Sequence, residues 1–379
     1  MTAAVTGDKS GKIPNQGYRV LVAMSGGVDS STTAALLKEQ GYEVIGANMR
    51  LWYREAKEEK GRHGTERYCS PGADRDAKRV ADRLDIPLHV MEFKELFYEK
   101  VVKNFITEYL RGRTPNPCIV CNKYLKWKKL LQKASELKCD YIATGHYSRI
   151  KYDASRGRYL LFKAVDEKKD QSYMLYNMNQ EEMSKTFFPL GDYTKSQTRQ
   201  LANKFGLVTS GKPESQDICF IPDNNYRKFI EEEAGQGIEP GPILNLKGEK
   251  LGEHKGVPFY TIGQRRGLGI SLGKPQYVID IDLQKNAIII GDKKDLLTRE
   301  FIAKDVNWIL FDHLEESLQV EAKIRYNAEG VLSTLSPAEK NSIMVKFNEP
   351  EEAVAPGQAV VFYQGDMVVG GGTIEKSCR

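Results

Sequence analysis

The stretch AMSGGVDSSTTAALL, residues 23–37, places a turn of small residues between two runs of different character. Residues 20–24 form a short apolar run that predicts a buried strand. Residues 30–40 have helical periodicity and precede Gly41, a residue type that commonly ends helices. A strand, a glycine turn and a helix N-terminus in succession present several backbone N–H groups to one point. The stretch therefore predicts an anion-binding loop.

This loop lacks the lysine of a Walker-type phosphate loop, which neutralises the β- and γ-phosphates during γ-phosphoryl transfer. A loop without it fits better with holding the pyrophosphate that leaves when ATP donates AMP. The stretch GLVTSGK, residues 206–212, does have Walker spacing. Pro213 stands where the magnesium-binding Ser or Thr would be, so we discount that stretch. The alternative for the first loop is an ordinary strand-to-helix turn capped by serine.

Strands and helices alternate along the first half of the chain. Apolar runs predict strands at 18–24, 42–49, 87–93 and 141–144, and helical periodicity predicts helices at 30–40, 73–84, 96–109 and 122–137. This alternation predicts a doubly wound parallel sheet with both faces covered. Beyond residue 211 Gly and Pro become frequent. Short alternating runs there predict hairpins and C-terminal strands, at 258–262, 277–281, 321–326, 342–347, 359–363 and 367–374.

We therefore predict the α/β class with several domains. The predicted boundaries are a disordered tail over 1–17, a phosphate-loop domain over 18–210, a small mixed and β-rich central domain over 211–295, and a C-terminal β-barrel over 296–379. A chain of this length can bury a separate core in each of them.

Composition limits the classes of function. The formal charge is only +5, from 56 Lys and Arg against 51 Asp and Glu, so any nucleic-acid surface must be local. No run reaches the roughly 18 apolar residues of a membrane span, and residues 1–17 have neither a secretory core nor transit-peptide arginines. We expect a cytoplasmic protein with no membrane partner. Six irregularly spaced cysteines do not resemble a secreted disulfide framework.

Two cysteines, Cys118 and Cys121, form a C-x-x-C in TPNPCIVCN, residues 114–122, which we place on a constrained loop just before a helix. The helix dipole and nearby lysines favour thiolates there, which predicts metal binding or thiol chemistry. A structural zinc site would need two more ligands, and the sequence has no second such pair. Cys219 lies in a loop-like stretch, where a functional role and a buried packing role are equally open.

The segment that follows the C-x-x-C is strongly basic. KYLKWKKLLQK, residues 123–133, has five lysines and no acid. At helical spacing Lys126, Lys129 and Lys133 share one face, with Trp127 directed to the core. Beside the cysteines this face predicts a phosphate-binding stripe for a nucleic acid, and a solvated helix face is the alternative.

Six stretches together resemble the bacterial tRNA-specific 2-thiouridylases, the MnmA family of the PP-loop ATP pyrophosphatase superfamily. They are AMSGGVDS (23–30), TPNP (114–117) with Cys121 and Asn122, ATGHY (143–147), KDQSY (169–173), KPESQDICFIP (212–222) and YTIGQR (260–265). The resemblance spans nearly the whole chain. It implies a tRNA-uridine 2-sulfurtransferase that uses ATP with Mg²⁺ to thiolate wobble uridine 34 in the tRNAs for lysine, glutamate and glutamine. ATP would adenylate the C2 oxygen, and a sulfur nucleophile would displace AMP.

The resemblance also implies individual roles. The cysteine that matches Cys219 carries a persulfide, and the one that matches Cys121 is the nucleophile that releases the sulfur by forming a disulfide. A cysteine desulfurase or a relay protein would donate the persulfide. The implied ATP contacts are Ala23, Met24, Ser25, Gly26, Gly27, Val28, Asp29, Ser30, Met49 and Gly145. The expected tRNA contacts, with Lys126 and Lys129 of the basic segment, are Asn116, Pro117, Cys118, His146, Lys169, Asp170, Gln171, Arg325, Tyr326 and Gln358.

Cys118 departs from the family pattern, which has an aspartate, proposed as a general acid/base, at this position. A thiol is a poor substitute for a carboxylate in that role. Cys118, Cys121 and Cys219 are also candidate ligands of a 4Fe-4S cluster whose open iron would bind inorganic sulfide, a second mechanism for the same reaction. Two other functions compete with thiolation. They are a PP-loop amidating ligase and a non-catalytic RNA-binding protein with a structural metal at the C-x-x-C.

Overall fold

The computed structural model describes residues 17–51, 53–54, 67–68, 72–212, 218–221, 225–235, 237–270, 273–339 and 342–378. The predicted tail, apart from Gly17, lies outside these ranges. So do residues 213–217 and 222–224, which flank the described stretch around Cys219. Within them, no helix combines the length and the apolar character needed to cross a membrane. The chain divides into a first compact unit, Met1–Tyr98, Cys121–Phe220 and Asp366–Val368, and a second, Glu99–Val120, Ile221–Gly365 and Val369–Arg379.

The strands of the first unit, in chain order, are β1 (Arg19–Ala23), β2 (Glu43–Arg50), β3 (Tyr53–Arg54), β4 (Arg67–Tyr68), β5 (Leu88–Glu92), β6 (Tyr141–Ala143), β7 (Arg149–Asp153), β8 (Arg158–Phe162) and β9 (Thr186–Phe187). The α-helices of the chain are α1 (Val28–Glu39), α2 (Ala73–Leu84), α3 (Lys94–Phe97), α4 (Lys103–Leu110), α5 (Pro117–Cys121), α6 (Lys128–Glu136), α7 (Gln180–Ser184), α8 (Lys195–Lys204) and α9 (Tyr226–Ala234). Short π-helical segments, Tyr98–Val102 and Asn122–Trp127, connect α3 to α4 and α5 to α6.

A five-stranded parallel sheet lies at the centre of the first unit, in the order β5-β2-β1-β6-β9. Alternate residues of β1, Val20 and Val22, are fully buried against α1 and α2 in one hydrophobic cluster. The predicted doubly wound sheet is confirmed. The chain proceeds outward from β1 through β2 and β5, then returns to β6 on the other side of β1. The carboxyl ends of β1 and β6 therefore form a topological switch point, where open α/β sheets bind ligands.

The turn between β1 and α1 requires a residue without a side chain at position 26. Gly26 has φ +69°, and a Cβ at this position would lie 2.2 Å from the carbonyl oxygen of Ala73. The next residue, Gly27, is the N-cap of α1 and makes no side-chain cap. The serine-capped alternative is therefore wrong. The Ser31 hydroxyl instead donates a hydrogen bond back to the carbonyl of Gly27, at 2.8 Å.

The second unit contains most of the remaining strands together with the helices α4 and α9 and most of α5. Its strands are β10 (Gly241–Asn245), β11 (Lys250–His254), β12 (Tyr277–Asp282), β13 (Ala287–Gly291), β14 (Leu297–Trp308), β15 (Leu318–Lys323), β16 (Val331–Pro337), β17 (Ile343–Glu352), β18 (Ala359–Gln364) and β19 (Met367–Cys378). The first four form a small mixed sheet, and β14 to β19 form a barrel that closes through pairing of β14 with β19. Phe301, Val345 and Phe362 are among the residues that fill its core. The predicted β-rich region and C-terminal barrel are confirmed.

Three local predictions are wrong. Pro258 lies in a short 3₁₀ helix, Val257–Phe259, and not in a hairpin strand, because proline cannot donate to a strand ladder. The strand predicted to end at Tyr326 ends at Lys323, so Arg325 and Tyr326 lie in the turn that follows. The C-x-x-C lies on a helix, because Pro117 begins α5, a position that suits the fixed φ of proline.

Replacing Gly26 with Ala should destabilise the first unit, because the new methyl group would meet the Ala73 carbonyl at a backbone conformation that is unfavourable for alanine. We expect the free energy of unfolding to fall by about 2 kcal/mol or more. Gly27→Ala is the matched control, since Gly27 has φ −95° and the nearest atom to its added Cβ is the Ser25 hydroxyl, at 3.5 Å. It should cost less than about 1 kcal/mol.

Urea denaturation followed by tryptophan fluorescence measures this difference, since Trp127 is fully buried in the first unit. Equal midpoints for Gly26→Ala and Gly27→Ala would show that the approach to Ala73 does not constrain the turn.

Candidate active site

Three neighbouring parallel strands bring the predicted nucleotide contacts to one edge of the sheet. The loop Ser25–Gly27 follows β1, Met49 lies near the end of β2, and Gly145 with His146 follows β6. Since these strands are parallel neighbours, their carboxyl ends meet at the switch point. The predicted ATP contacts, residues 23–30, Met49 and Gly145, therefore lie at the carboxyl edge of one sheet.

The loop after β1 is shaped around the first turn of α1. The backbone N–H of Ser25 donates to the Ser30 hydroxyl at 3.1 Å, which draws the loop over the helix start. The first N–H groups of an α-helix have no acceptor within the helix, so they are available to an anion. Gly145 packs directly against this turn, because a Cβ there would lie 2.8 Å from the backbone nitrogen of Ser30.

Two lysines that are distant in sequence reach this loop. The Nζ of Lys195 lies 2.7 Å from both carboxylate oxygens of Asp29, in the first turn of α1. The Tyr147 hydroxyl donates to the same carboxylate at 2.8 Å. The Nζ of Lys212 donates to the Gly26 carbonyl at 3.0 Å and pairs with Asp76 at 2.8 Å. The cation that the loop sequence lacks is therefore present at the loop, supplied by other segments.

No sequence signal pointed to Lys195, and Lys212 was considered only within the discounted Walker motif and the family stretch 212–222. Discounting that motif is confirmed, because residues 206–212 follow the helix α8, whereas a Walker loop follows a strand. Lys195 is the first residue of α8. The residue before it, Thr194, is the N-cap and forms a capping box with Gln197. A capping box predicts a helix start and carries no signal of an anion site.

A buried asparagine at the same sheet edge was also missed. Asn48, next to Met49 in β2, is 2% exposed, and its Nδ2 donates to the Met24 carbonyl at 2.8 Å. Its Oδ1 accepts no hydrogen bond from the part of the chain that the structure describes. A buried acceptor of this kind is commonly satisfied by a bound molecule or water.

The three cysteines of the predicted sulfur chemistry differ in exposure. Cys121, at the end of α5, is buried, whereas Cys118 and Cys219 are exposed. The interpretation of Cys219 as a buried packing residue is therefore wrong. The next residue, Phe220, is buried instead, and its ring packs edge-on against Phe97 with centroids 5.6 Å apart. Cys121 and Cys219 belong to the first unit, and Cys118 belongs to the second.

The described residues do not present the ligand set that a cluster or a structural metal needs. No group of three or more His, Cys, Asp and Glu side chains among them is arranged to hold a metal ion. The 4Fe-4S cluster therefore stays a prediction without support from the described residues, and we derive no step through one.

His146 is held between two polar partners. Its Nδ1 lies 2.6 Å from the Thr144 hydroxyl, and its Nε2 lies 3.3 Å from the Nζ of Lys126. Since an ammonium group can only donate, Nε2 accepts and Nδ1 carries the proton. Burial, and then the positive charge of Lys126, hold the pKa of His146 well below its usual range. The imidazole is therefore neutral at physiological pH.

The basic segment divides into two parts. Lys129 and Lys133 line a cleft of about 790 Å³ whose other wall is residues 90–96, whereas Lys126 contacts His146. The prediction that all three lysines share one face is wrong for Lys126, because the π-helical segment Asn122–Trp127 widens the turn that precedes α6. Lys133 pairs with Glu136 at 3.0 Å, and Lys129 donates to the neutral amide of Gln132 at 3.1 Å.

The other predicted tRNA contacts in the first unit also stabilise the site. The carboxylate of Asp170 accepts from the Ser172 hydroxyl at 2.7 Å. The side-chain oxygen of Gln171 accepts from the backbone N–H of Tyr147 at 3.0 Å. Gln171 thereby positions the residue that contacts Asp29. Their role with RNA, like that of the half-buried Lys169, stays a prediction.

Six predicted tRNA contacts lie in the second unit. They are Asn116, Pro117, Cys118, Arg325, Tyr326 and Gln358. Asn116 accepts from the Ile119 N–H at 3.3 Å at the start of α5. Arg325 is exposed and donates to the Glu352 carbonyl at 3.4 Å, and the Lys323 ammonium lies 5.7 Å from the ring centroid of Tyr326. The carbonyl of Gln358 accepts from the Ile374 N–H at 2.8 Å. Their contact with RNA also stays a prediction.

Comparison with known proteins gives a consistent result along the chain. A tRNA methyl transferase HUP domain model matches residues 18–223, a tRNA methyl transferase PRC-barrel domain model matches 227–292, and an aminomethyltransferase beta-barrel domain model matches 298–374. A tRNA-specific 2-thiouridylase MnmA from Natranaerobius thermophilus is 58% identical over 95% of this chain and 98% of its own length. The proteins of the same name from Carboxydothermus hydrogenoformans and Clostridioides difficile are 53% and 50% identical, over 94% and 95% of this chain and 98% of each relative. With half of its residues shared along almost the full length of each relative, the chain belongs to the MnmA family of tRNA-specific 2-thiouridylases.

Proposed function

We propose that the chain is a tRNA-uridine 2-sulfurtransferase that uses ATP to replace the C2 oxygen of wobble uridine 34 with sulfur in the tRNAs for lysine, glutamate and glutamine. The observation that carries this proposal is the lysine-free phosphate loop at the switch point, in the same unit as Cys121 and Cys219. Membership of the 2-thiouridylase family supports it and disfavours the amidating-ligase and non-catalytic alternatives. We place the reaction in the cytoplasm, where ATP and tRNA are both available.

The first step activates the base. The C2 oxygen of uridine attacks the α-phosphorus of ATP, the bond between the α-phosphorus and the bridging oxygen breaks, and pyrophosphate leaves while the N3 proton passes to solvent. The N–H groups and dipole of the first turn of α1 favour the negative charge that collects on pyrophosphate. Mg²⁺ would accompany ATP and neutralise part of the same charge.

The second step transfers sulfur. Cys219 carries a persulfide, whose terminal sulfur attacks C2 and displaces AMP. The Cys121 thiolate then attacks Sγ of Cys219, the persulfide bond breaks, and the sulfur stays on the base. A disulfide between the two cysteines forms, and a thiol reductant returns two electrons per turnover. The exposure of Cys219 supports this assignment, because a cysteine desulfurase or relay protein must reach the accepting thiol.

Mass spectrometry of nucleosides from unmodified glutamate tRNA tests the reaction. With ATP, Mg²⁺ and a persulfide donor under anaerobic conditions, we expect 2-thiouridine from both iron-loaded and iron-stripped enzyme. Cys219→Ser and Cys121→Ser should reduce its formation to background, because each removes a sulfur atom that the second step requires. Cys139→Ser is the matched control, since burial raises the pKa of the Cys139 thiol and makes it a poor nucleophile.

The sulfur source separates the two mechanisms. If thiolation required inorganic sulfide, loaded iron and Cys118 together, the cluster alternative would replace the persulfide scheme. If no thiolated nucleoside formed under any condition, the sulfurtransferase proposal would fail, and the ligase and RNA-binding alternatives would return.

Lys129→Ala should weaken tRNA binding and lower the slope of log Kd against log salt concentration by about 1, because a phosphate contact releases about one counterion. Filter binding at several salt concentrations measures both quantities. Lys133→Ala, on the same helix and in the same cleft, is the control, since Glu136 already offsets that charge. Equal slopes for wild type and Lys129→Ala would remove this lysine from the tRNA surface.

A further inference from the structure

The ion pair between Lys195 and Asp29 lies at the point where the loop would receive the phosphates of ATP. Asp29 is the second residue of α1, and its carboxylate is held by both Lys195 and Tyr147. The Lys195 side chain is only 12% exposed, whereas that of Asp29 is 31% exposed. The lysine is therefore buried beneath a carboxylate that still reaches solvent.

A carboxylate in this turn opposes the function of the loop. The positive end of α1 attracts an anion, but Asp29 already places a negative charge there and would repel an entering polyphosphate. Lys195 cancels that charge. Without a cation beside Asp29, a loop that lacks its own lysine would hold a net negative charge at the phosphate position.

The backbone at Lys195 has contacts other than the ion pair. Its backbone N–H donates to the Asp166 carboxylate at 2.8 Å, and the capping box of Thr194 and Gln197 fixes the start of α8. The ammonium group is a point charge on a flexible four-carbon chain with three donors. It can therefore exchange one oxygen partner for another while α8 remains in place.

We propose that Lys195 is the pyrophosphate-binding cation of this loop, a catalytic residue that neutralises Asp29 while the loop is empty and moves to the phosphate oxygens when ATP binds. This inference rests on the proposed function and extends it. As the bond between the α-phosphorus and the bridging oxygen breaks, the ammonium stabilises the charge that develops on pyrophosphate. No proton is transferred. Asp29, released from Lys195, would be available as a ligand of the Mg²⁺ that accompanies ATP.

Lys212 has a different role. Its ammonium is bound between a backbone carbonyl of the loop and Asp76, so it stabilises the conformation of the turn at Gly26. The Lys195 ammonium, by contrast, is paired with a side-chain carboxylate of the turn, that of Asp29.

Binding of inorganic pyrophosphate and of adenosine to Lys195→Met, each with Mg²⁺, tests the proposal. We expect the Kd for pyrophosphate, measured by calorimetry, to rise about 10- to 100-fold, because a charge-assisted hydrogen bond is lost. The Kd for adenosine, measured by ligand-observed NMR, should stay within about twofold of wild type, since adenosine has no phosphate. Lys195→Arg should retain part of the pyrophosphate affinity.

Lys204→Met is the matched control. Lys204 lies on the same helix in an ion pair of similar length, 2.8 Å to Glu39, but is exposed and away from the loop. The affinity of Lys204→Met for pyrophosphate and for adenosine should equal that of wild type. Unchanged pyrophosphate affinity in Lys195→Met would overturn the proposal. Equal losses for pyrophosphate and adenosine would also overturn it, since they indicate a purely structural ion pair.

The thiolation assay on the same preparations separates this inference from the proposed function. If wild type forms 2-thiouridine while Lys195→Met binds pyrophosphate normally, the inference alone fails. If Lys195→Met loses pyrophosphate selectively while wild type forms no 2-thiouridine, the cation assignment stands and the proposed tRNA reaction fails.

Discussion

The close packing of bare backbone around the first turn of α1 is the constraint on which the site depends. Gly26 approaches the Ala73 carbonyl on one side, and Gly145 approaches the backbone of Asp29 and Ser30 on the other. A side chain at either glycine would separate segments that must touch. Because they do touch, the N–H groups at the start of α1 lie at the carboxyl edge of the sheet, next to the ends of β2 and β6.

This packing creates an electrostatic requirement that other parts of the chain satisfy. The turn that attracts an anion contains Asp29, and the loop contains no cation of its own. Lys195 comes from α8, 166 residues further along the chain, and Lys212 comes from the segment that follows α8. The charge of the site is therefore assembled by the fold, whereas its shape is already present in the local sequence.

That distinction explains what the sequence predicted. Periodicity and turn residues define β1, α1 and the barrel strands, since these signals act over a few residues. Ser25 and His146 could be placed together because ligands gather at strand ends in doubly wound sheets. The assignment of Met49 as an ATP contact rests on the family resemblance. Lys195 has no such signal, because its partner is distant in sequence. Asn48 has none either, since the lack of a partner for its oxygen among the described residues is a property of the packed sheet edge and not of its neighbours along β2.

The errors in the basic segment and the C-x-x-C also have a physical origin. A helix template of 3.6 residues per turn assumes regular geometry, and the π-helical segment after Cys121 breaks that assumption. Lys126 is thereby separated from Lys129 and donates a hydrogen bond to Nε2 of the neutral His146 imidazole. The same helical stretch buries Cys121 and leaves Cys118 exposed. A buried thiol such as Cys121 reacts only with partners brought to it, whereas the protein donor of the proposed scheme can reach the exposed Cys219. In the proposed scheme this difference fits an order in which the exposed thiol is loaded first and the buried thiol resolves the persulfide after transfer.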